Sequence, residues 1–398
     1  MKGRMIPMKK SLSLFLTIVM LLGILSGCGT AHKPDAPQAP SAPTAAAEEP
    51  APNPDADAEA PAADADTQTV TDVTGRTVEV PVSATRVAAL GSAARLLTYA
   101  GCAQQIVGCT ELEMKGDPGM PYAYVNKEHF ASCSPLASGG SSNTNFTEEI
   151  AVLNPDVIFY NGGTTEDLDT LQAQVNIPVV GLYASDFYAD DFSRSLEIIG
   201  QVMGCQEHVD TVISAIHGWI EDLDNRTKDI PDSEKPTVYT GALGFSGPHG
   251  FEGTSANFPP FVAVHAKNVA DSTGEKGCFL VDLEKVTQWD PDFIFLNPGN
   301  MPLVNDDYKL KPAFYDNLSA VKNNKLYSMP SYNFFWSNQE LAIADAYYVG
   351  SILYPEQFSD VNFEEKAEEI FNTMLGCDYL NVLNENHLGF TPLTIGEG

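Results

Sequence analysis

The loop at residues 247–254 brings an imidazole, an aromatic ring and a carboxylate together among glycines. These groups belong to His249, Phe251 and Glu252, and the loop follows a short apolar run typical of a buried strand. Small-molecule sites combine apolar rings with a few convergent polar groups. We therefore predict that His249, Phe251 and Glu252 contact a ligand.

A second loop, at residues 332–336, is unusually aromatic for an exposed connection: its sequence is Tyr-Asn-Phe-Phe-Trp. Rings in such a loop suit stacking and dispersion contacts with a large planar or chelate ligand. We predict ligand contacts from Tyr332, Asn333 and Trp336. The alternative is that part of these rings packs in the core.

A third loop, at residues 91–95, offers an anion site, because its small residues leave backbone N–H groups free at a helix start. Ser92 and Arg95 are the predicted contacts, although Arg95 on an exposed helix face is the alternative. The polar loops at residues 138–143 and 161–164 are further candidates for the same site, or simple turns.

Other chemistries lack a pattern in this chain. The seven histidines show no paired ligand spacing, and no cysteines form a CxxC or zinc-like cluster. A nucleophile elbow, HExxH, a Walker loop and GxGxxG are also missing from the sequence. The sequence therefore predicts no catalytic residue, no bound metal and no cofactor, with an extracellular enzyme as a distant alternative.

The N-terminus has the features of an export signal: Lys9 and Lys10 precede an apolar run over residues 12–25. The sequence Leu-Ser-Gly-Cys at residues 25–28 resembles the bacterial lipoprotein cleavage box, which implies lipidation of Cys28. We predict a signal peptide over residues 1–27 and a lipid-anchored extracytoplasmic protein. Residues 28–69, dominated by Ala, Pro and acidic side chains, are a predicted disordered tether.

The acidic composition argues against one class of binding partner. A protein with a formal net charge of −31 is not expected to bind nucleic acid. Apart from Cys28 there are six cysteines, which an exported chain can pair in 15 ways. The sequence does not choose among these pairings. We expect a monomer.

The folded part alternates short apolar runs with helical stretches, which predicts an α/β fold with mostly parallel sheets. A hairpin over residues 71–80 opens it, and one long helix near residues 206–228 separates two such series. We predict a first lobe over residues 70–190, a connecting helix over 191–230 and a second lobe over 231–398. The predicted strands are residues 87–90, 157–160, 179–182, 238–240, 293–296 and 326–329.

An internal repeat supports two related lobes. Residues 148–159 align without gaps on residues 284–295, and both copies run from a glutamate through a helix to Pro-Asp and an apolar strand. Proline stops the helix, and the following run fits a central strand.

These features together resemble the solute-binding proteins of importers for iron-siderophore, haem and cobalamin, the helical-backbone class, over residues 70–376. The resemblance rests on the opening hairpin, the two Glu-to-Pro-Asp repeats, the connecting helix and the segments around residues 332–333 and 353–356. It implies two Rossmann-like lobes with a ligand cleft between them. It also implies that Glu148 and Glu284 dock on arginines of a permease; their alternative role is to favour helix N-termini.

The resemblance implies capture of a metal chelate of the ferric siderophore, haem or cobalamin type and its delivery to an ABC importer, by modest lobe closure. A molybdate or tungstate receptor of the same fold is the alternative, since the loop with Arg95 suits an oxyanion.

Overall fold

The computed structural model describes residues 66–140, 143–184 and 190–396, so the predicted signal peptide, Cys28 and nearly all of the tether lie outside the described residues. The strands are β1 (Thr67–Thr71), β2 (Thr77–Pro81), β3 (Val87–Leu90), β4 (Ile106–Thr110), β5 (Ser134–Ala137), β6 (Val157–Asn161), β7 (Val179–Leu182), β8 (Thr237–Gly241), β9 (Gly253–Ala256), β10 (Lys267–Asn268), β11 (Gly277–Leu280), β12 (Phe293–Leu296) and β13 (Leu326–Ser328). The helices are α1 (Ala93–Tyr99), α2 (Pro121–Val125), α3 (Lys127–Phe130), α4 (Thr147–Leu153), α5 (Thr165–Val175), α6 (Asp190–Met203), α7 (Gln206–Thr227), α8 (Pro259–Ala263), α9 (Leu283–Trp289), α10 (Met301–Leu310), α11 (Pro312–Asn317), α12 (Ser319–Lys322), α13 (Gln339–Leu353), α14 (Phe363–Leu375) and α15 (Leu380–Glu385).

The predicted hairpin is confirmed as the antiparallel pair β1 and β2, but its first strand begins at Thr67, so the last residues assigned to the tether, 67–69, are part of the fold. Its turn is fixed by Asp72, whose Oδ1 accepts hydrogen bonds from the backbone N–H groups of Thr74 and Arg76, both at 3.0 Å. The Oδ2 atom of Asp72 accepts from the backbone N–H of Gly181 in β7 at 3.1 Å. One buried carboxylate therefore shapes the turn and fastens the hairpin to the edge of the first sheet.

The first lobe is built on a five-stranded parallel sheet with the order β5-β4-β3-β6-β7. All four residues of β3 are buried, as expected of a parallel strand covered by helices on both faces. Helices α1 and α6 pack on one face, and α4 and α5 pack on the other. The order of the strands reverses between β3 and β6, which opens a crevice at their carboxyl ends.

The second lobe repeats this plan with a four-stranded parallel sheet of the order β10-β8-β12-β13. Its strand order reverses between β8 and β12. An antiparallel ribbon of β9 and β11 accompanies this sheet. The six strands predicted from apolar runs are confirmed; they correspond to β3, β6, β7, β8, β12 and β13.

The sequence repeat corresponds to α4 with β6 in the first lobe and α9 with β12 in the second. Both helices have seven residues, and each ends at a residue in the left-handed conformation just before proline: Asn154 has φ +48° and Asp290 has φ +42°. Asn and Asp tolerate this conformation better than most side chains. The two copies therefore end their helices by the same local means.

The aspartate after each proline fastens the repeat to its sheet. The Oδ2 atom of Asp156 accepts from the backbone N–H groups of Thr85 and Arg86, both at 2.9 Å, just before β3. The Oδ2 atom of Asp292 accepts from N and Oγ1 of Thr237, the first residue of β8, at 2.8 and 2.7 Å. Each lobe thus aligns its repeated strand with its first strand through one carboxylate.

The connecting helix is confirmed as α7, one continuous 22-residue helix between the two sheets. The predicted bounds 191–230 are too wide, because they also include α6, and Gly204, with φ +69°, lies between the two helices. Apolar side chains at helical spacing form a stripe along α7 that is buried at four positions and at Trp219, whereas Ile213 and Ile220 are half-buried. Those four positions are Val209, Val212, Ile216 and Leu223.

The C-terminal end of α7 is fastened by Arg226. Its guanidinium pairs with Asp360 at 2.6 Å and donates to the carbonyl of Gln357 at 2.8 Å, beyond α13. Helix α7 also packs on α6, α13 and α14. The connection between the lobes is therefore a helix supported by neighbouring helices.

In the described part of the chain, no helix combines the length and apolar character that crossing a membrane requires.

Candidate ligand cleft

A cavity of about 920 Å³ lies where the strand order of both sheets reverses. Its wall includes Gly91 after β3, Gly162 after β6, Gly244 after β8 and Asn297 after β12. Sites for small organic ligands usually occupy ~300–1,000 Å³, at just such crevices outside the carboxyl ends of strands. The position and size of the cavity therefore define a ligand cleft between the lobes.

The first-lobe wall depends on a close approach between two loops. Gly91 has φ +63°, and a Cβ atom there would lie 2.1 Å from the carbonyl oxygen of Asn161. The amide of Asn161 donates to Ser92 Oγ at 2.7 Å. Ser92 is fully buried, so its hydroxyl orients Asn161 and does not itself line the cavity. The Oδ1 atom of Asn161 is buried without a hydrogen-bond partner among the described residues.

The predicted aromatic loop forms the opposite wall. Phe334 and Trp336 line the cavity and remain 38% and 40% exposed. The ring of Trp336 lies over Gly162 of the first lobe, where a Cβ atom would be 3.3 Å from its Cζ2. Asn333 donates to the carbonyl of Gly244 at 2.9 Å, which joins this loop to the second-lobe wall.

The backbone of this loop is strained at two successive residues: φ is +52° at Phe335 and +69° at Trp336. Left-handed conformations of bulky side chains persist only where the surroundings impose them. Arg95 in α1 supplies that support. Its Nε donates to Asn338 Oδ1 at 3.1 Å, and its Nη2 donates to the carbonyl oxygens of Phe334 and Phe335.

Arg95 is only 2% exposed, and its guanidinium lies 4.6 Å from the ring centre of Tyr122. It is therefore neither on an exposed helix face nor among the side chains lining the cavity. The structure places it behind the aromatic loop, because three acceptors of that loop take up its donors.

Two buried carboxylates lie close enough to Arg95 to be affected by its charge. Burial raises the pKa of Glu113 to about 7 and that of Glu340 to about 6, and the charge of Arg95 opposes both shifts. Glu113 accepts a hydrogen bond from the hydroxyl of Tyr122 at 3.0 Å, and Glu340 accepts one from that of Tyr99. The base of the cleft is thus a buried polar network that joins α1 to α13.

The loop at residues 244–254 contributes to the cleft through Phe245, which lines the cavity. His249 lies behind this ring: its Nε2 bonds to the Phe245 carbonyl at 2.9 Å, and the two rings are 4.2 Å apart. Glu252 accepts from the backbone N–H of Gly250 at 3.2 Å. Phe251 corrects the prediction, because its ring is fully buried in the core of the second lobe and does not reach the cleft.

The lining is aromatic and rich in amides. Among the described residues that line the cavity, Asp117 is the one with a formal charge, and none is Lys, Arg or His. The amides come from Asn143, Asn161, Asn297, Asn300 and Asn333. The described residues contain no group of three His, Cys, Asp or Glu side chains suited to a metal ion. Such a wall offers stacking and neutral hydrogen bonds.

Of the predicted contacts, Asn333 and Trp336 line the cavity. Tyr332 is 9% exposed and packs on Phe258, with ring centres 5.6 Å apart. The loop at residues 138–143 also reaches the cavity, through Gly140 and Asn143, while its Ser141 and Ser142 lie outside the described residues.

Sequence reasoning missed Tyr160, Phe245 and Asn297 as lining residues. The available signal was their position: Tyr160 lies near the carboxyl end of β6, and Asn297 directly follows β12. Polar or aromatic residues at the carboxyl ends of parallel strands point to this edge of a sheet.

Glu148 and Glu284 lie outside the cleft. Both are exposed, and each occupies the first turn of its helix, α4 or α9. Val152, one turn beyond Glu148, is 86% exposed. The outer end of α4 therefore presents an acidic and an apolar side chain together.

Two α/β lobes, one connecting helix and a cleft at both strand-order reversals define a two-lobe solute-binding architecture. The sequence profile of the periplasmic binding protein family matches residues 89–333, and the chain belongs to this family. The single helix between the lobes places it in the helical-backbone class. The protein is thus the solute-binding component of an ABC transporter.

Solved structures share this fold. A periplasmic solute-binding protein of Veillonella parvula is 20% identical with a TM-score of 0.66, covering 81% of this chain and 97% of its own. The molybdate-bound protein MolA of Haemophilus influenzae is 22% identical, with a TM-score of 0.61 and coverage of 78% and 99%. Helicobacter pylori CeuE with bound Ni(II) is 13% identical, with a TM-score of 0.57 and coverage of 78% and 96%. No curated protein sequence matches the chain.

Proposed function

We propose that the protein captures a metal chelate whose metal is already coordinated by an organic ligand, of the ferric siderophore or cobalamin type. The observation that carries this proposal is the 920 Å³ cleft walled by Phe245, Phe334 and Trp336 together with amides. Rings and amides recognise the organic shell of a chelate. Binding, without a chemical step, is the role proposed for this site.

The lining favours a saturated chelate over haem or a bare metal. Haem proteins complete the coordination of iron with His, Met, Cys or Tyr. Among the described lining residues, Tyr160 is the one side chain of these four types. A bare transition metal requires several nitrogen, sulfur or carboxylate ligands, and Asp117 supplies the one carboxylate among the lining residues that the structure describes. A chelator that fills every coordination position of its metal needs none of these groups.

A molybdate or tungstate ligand is the second candidate. The observation in its favour is the similarity of the fold to that of the molybdate-bound Haemophilus protein. The charge of the cleft argues against it. Arg95, the cation expected to face an oxyanion, donates to the aromatic loop and is absent from the lining. An oxyanion would meet Asp117 without a compensating cation among the described lining residues.

The test is thermal unfolding of the mature chain carrying Cys28→Ser against ferric siderophores, cobalamins, haem, molybdate and tungstate. A ligand that binds only the native state raises the melting temperature. We expect stabilisation by a ferric siderophore or a cobalamin and none by the oxyanions. Stabilisation by oxyanions alone would overturn the proposal in favour of the second candidate.

A matched pair of tryptophan variants locates the binding. Trp336 lines the cleft, whereas Trp289 packs against the core of the second lobe. Trp336→Phe should weaken chelate binding by about tenfold, the order of one lost aromatic contact. Trp289→Phe should leave the affinity unchanged. Equal affinities of both variants and the parent chain would move the site away from the aromatic loop.

Delivery to the permease is proposed to use Glu148 and Glu284, which occupy corresponding positions in the two lobes. Exposed carboxylates form charge-assisted pairs with arginine on a partner surface. The double variant Glu148→Lys and Glu284→Lys should abolish stimulation of the transporter ATPase while chelate affinity stays unchanged. Glu149→Lys, one exposed position away, is the control. Loss of stimulation by the control and not by the double variant would assign docking to the neighbouring residue.

We propose that Cys28 is the lipidated first residue of the mature protein, because residues 25–28 match the lipoprotein cleavage box. The native chain should fractionate with membranes, and Cys28→Ser should be released in soluble form. Mass spectrometry of the mature N-terminus is the direct measurement. An unmodified Cys28 inside a longer mature chain would rule out this anchor.

A further inference from the structure

Two of the six cysteines that follow Cys28 lie side by side although they are far apart in sequence. The Sγ atoms of Cys102 and Cys205 are 3.4 Å apart, and 103 positions separate the two residues. Cys102 directly precedes a short 3-10 turn shortly after α1, and Cys205 is the residue before α7. Both thiols are free in the structure.

We propose that Cys102 and Cys205 form a disulfide bond in the exported protein. An S–S bond is ~2.05 Å long, so the two sulfur atoms must approach from 3.4 Å, which side-chain rotation can supply. Extracytoplasmic compartments maintain disulfides, and family membership assigns this protein to such a compartment. Fixing this pair reduces the 15 complete pairings of the six cysteines to three.

The chemistry is a thiol–disulfide exchange with a disulfide-bearing oxidant such as a thiol oxidoreductase or oxidised glutathione. The thiolate of Cys205 attacks one sulfur of the oxidant, a mixed disulfide forms, and one thiolate leaves. The thiolate of Cys102 then attacks the Cys205 sulfur and displaces the second thiolate. Two cysteine thiols lose two electrons and two protons in all, and the disulfide of the oxidant becomes two thiols.

Cys205 is suited to be the attacking residue. It is half-buried in a surface depression that it shares with Glu207, His208 and Thr211, so an oxidant can reach it. The hydrogen bond with Cys102 lowers the pKa of the Cys205 thiol, which increases the thiolate fraction. Cys102 is 5% exposed and lies behind it, in the position of the resolving thiol.

The other cysteines are placed differently. Cys109 and Cys133 are neighbours in the core of the first lobe, at 0% and 8% exposure, so an oxidant has little access to them in the folded protein. Cys278 lies next to Asn333, 3.8 Å from its amide, and burial raises the pKa of its thiol. Cys278 therefore provides a control position that the proposed bond does not involve.

The bond would join the end of the helix that carries Arg95 to the beginning of the connecting helix. Helix α1 supports the aromatic wall through Arg95, and α7 leads to the second lobe. A covalent link at this point restrains a long loop of the unfolded chain, which stabilises the folded protein.

The experiment equilibrates the mature chain with a glutathione redox buffer, alkylates it under denaturing conditions without reductant, and maps the digest by mass spectrometry. The expected product is the Cys102 peptide joined to the Cys205 peptide, about 2 Da lighter than the two reduced peptides together because two hydrogens are lost. Recovery of both residues as alkylated peptides, or a link from either to another cysteine, would overturn the proposal.

Serine variants give an independent readout. Added reductant should lower the melting temperature of the native chain and of Cys278→Ser. It should leave the melting temperature of Cys205→Ser unchanged, because this variant cannot form the bond. If Cys205→Ser fails to fold, Cys102→Ser serves in its place, because either change removes the same bond. An equal response to reductant in the native chain and in the variant would count against the link.

Discussion

Arg95 determines the shape of the cleft although its side chain does not line the cavity. The sequence places it beside small residues at a helix start, a pattern typical of anion sites. The fold instead turns its guanidinium toward the carbonyls of Phe334 and Phe335, which follow more than 230 positions later. An arginine has five donors in a rigid fork, so it can hold several backbone acceptors at once. Its role in this structure is to position the aromatic loop.

Arg95→Met should loosen this loop. The change removes three donated hydrogen bonds and takes the nearby cation from two buried carboxylates, so we expect a loss of about 3 kcal/mol in the free energy of unfolding. Hydrogen exchange of residues 332–338 should accelerate at least about tenfold, because local opening would be that much more favourable. Exchange should be measured by mass spectrometry under native conditions.

The control for this prediction is Arg194→Met. The side chain of Arg194 is half exposed and pairs with Glu197 at 3.2 Å on the surface, so its loss should change stability by less than about 1 kcal/mol. Unaltered exchange in residues 332–338 of Arg95→Met would mean that the loop holds its strained backbone without the guanidinium.

Asp345 in α13 should make stability depend on pH. Both carboxylate oxygens are buried without a hydrogen-bond partner among the described residues, and burial raises the pKa of Asp345 well above its ordinary value. The folded state then holds the proton more tightly than the unfolded chain. The resulting stabilisation is fully present below the unfolded pKa of about 3.9 and is lost as the pH rises through the folded pKa.

Asp345→Asn removes this titration. The variant should be more stable than the native chain by at least about 1 kcal/mol at pH 8 and should gain nothing near pH 3.5. Burial, with a smaller contribution from the charge of Asp345, raises the pKa of the neighbouring Tyr332, so this phenol stays protonated at both values of pH and does not contribute to the difference. Denaturant unfolding at both values of pH measures the difference. A gain of equal size at the two values would point to packing and not to charge.

Residue roles in the cleft could be predicted from sequence only where position alone decides them. Asn333 and Trp336 line the cavity, as expected of a polar and aromatic loop that follows a strand. Phe251 has the same composition signal, yet it is buried, because its ring packs on those of Tyr239, Phe314 and Tyr315. Local sequence does not show these partners, which lie 12 or more positions away.

At the scale of the elements, the repeated helix, Pro-Asp turn and strand could be predicted almost completely. Proline and the left-handed residue before it end each helix, and both signals are local. What the sequence does not display is the partner of each aspartate. Asp156 reaches Thr85, which is 71 positions away, and Asp292 reaches Thr237, which is 55 positions away. These contacts exist only once the strands pair.

Removing either aspartate should weaken its lobe to a similar extent. Asp156→Ala deprives the N–H groups of Thr85 and Arg86 of their acceptor, and Asp292→Ala does the same for Thr237. Hydrogen bonds to a charged acceptor contribute ~1.5–3 kcal/mol when buried, and partial exposure lowers this to about 1–2 kcal/mol here. Denaturant unfolding measures both losses.

Asp306→Ala is the matched control, because this exposed carboxylate pairs with Lys309 within one helix, at 2.8 Å. It should change the free energy of unfolding by less than about 0.5 kcal/mol. A loss in Asp156→Ala no larger than that of the control would show that strand pairing aligns β3 without this carboxylate.

At the scale of the whole molecule, two lobes, their parallel sheets and the helix between them follow from periodicity, and the cleft follows from strand order. The identity of the ligand does not, because it depends on which loops meet across the cleft. The packing of Trp336 over Gly162 is one such contact between loops of different lobes.

The connecting helix and the hydrogen bonds around it limit how far the lobes can move. Helix α7 is continuous over 22 residues, and Arg226 fastens its end to Asp360. Further hydrogen bonds join first-lobe or connecting segments to the C-terminal helices, among them Tyr379 to the Pro118 carbonyl at 2.9 Å and Trp219 to Glu369 at 2.9 Å. A large hinge rotation would break several of these bonds together, whereas a small adjustment preserves them.

Binding of the chelate should therefore change the radius of gyration by less than about 1 Å, the extent typical of pre-organised partners. Small-angle X-ray scattering of the mature chain with and without a saturating chelate measures this change, and molybdate, an oxyanion expected not to bind, supplies the reference for unspecific effects of an added solute. The aromatic wall is already held in place by Arg95, so closure has little left to assemble. A decrease of more than about 2 Å would mean that the lobes rotate about α7 and that the contacts of Arg226 and Tyr379 open during each cycle of capture and release.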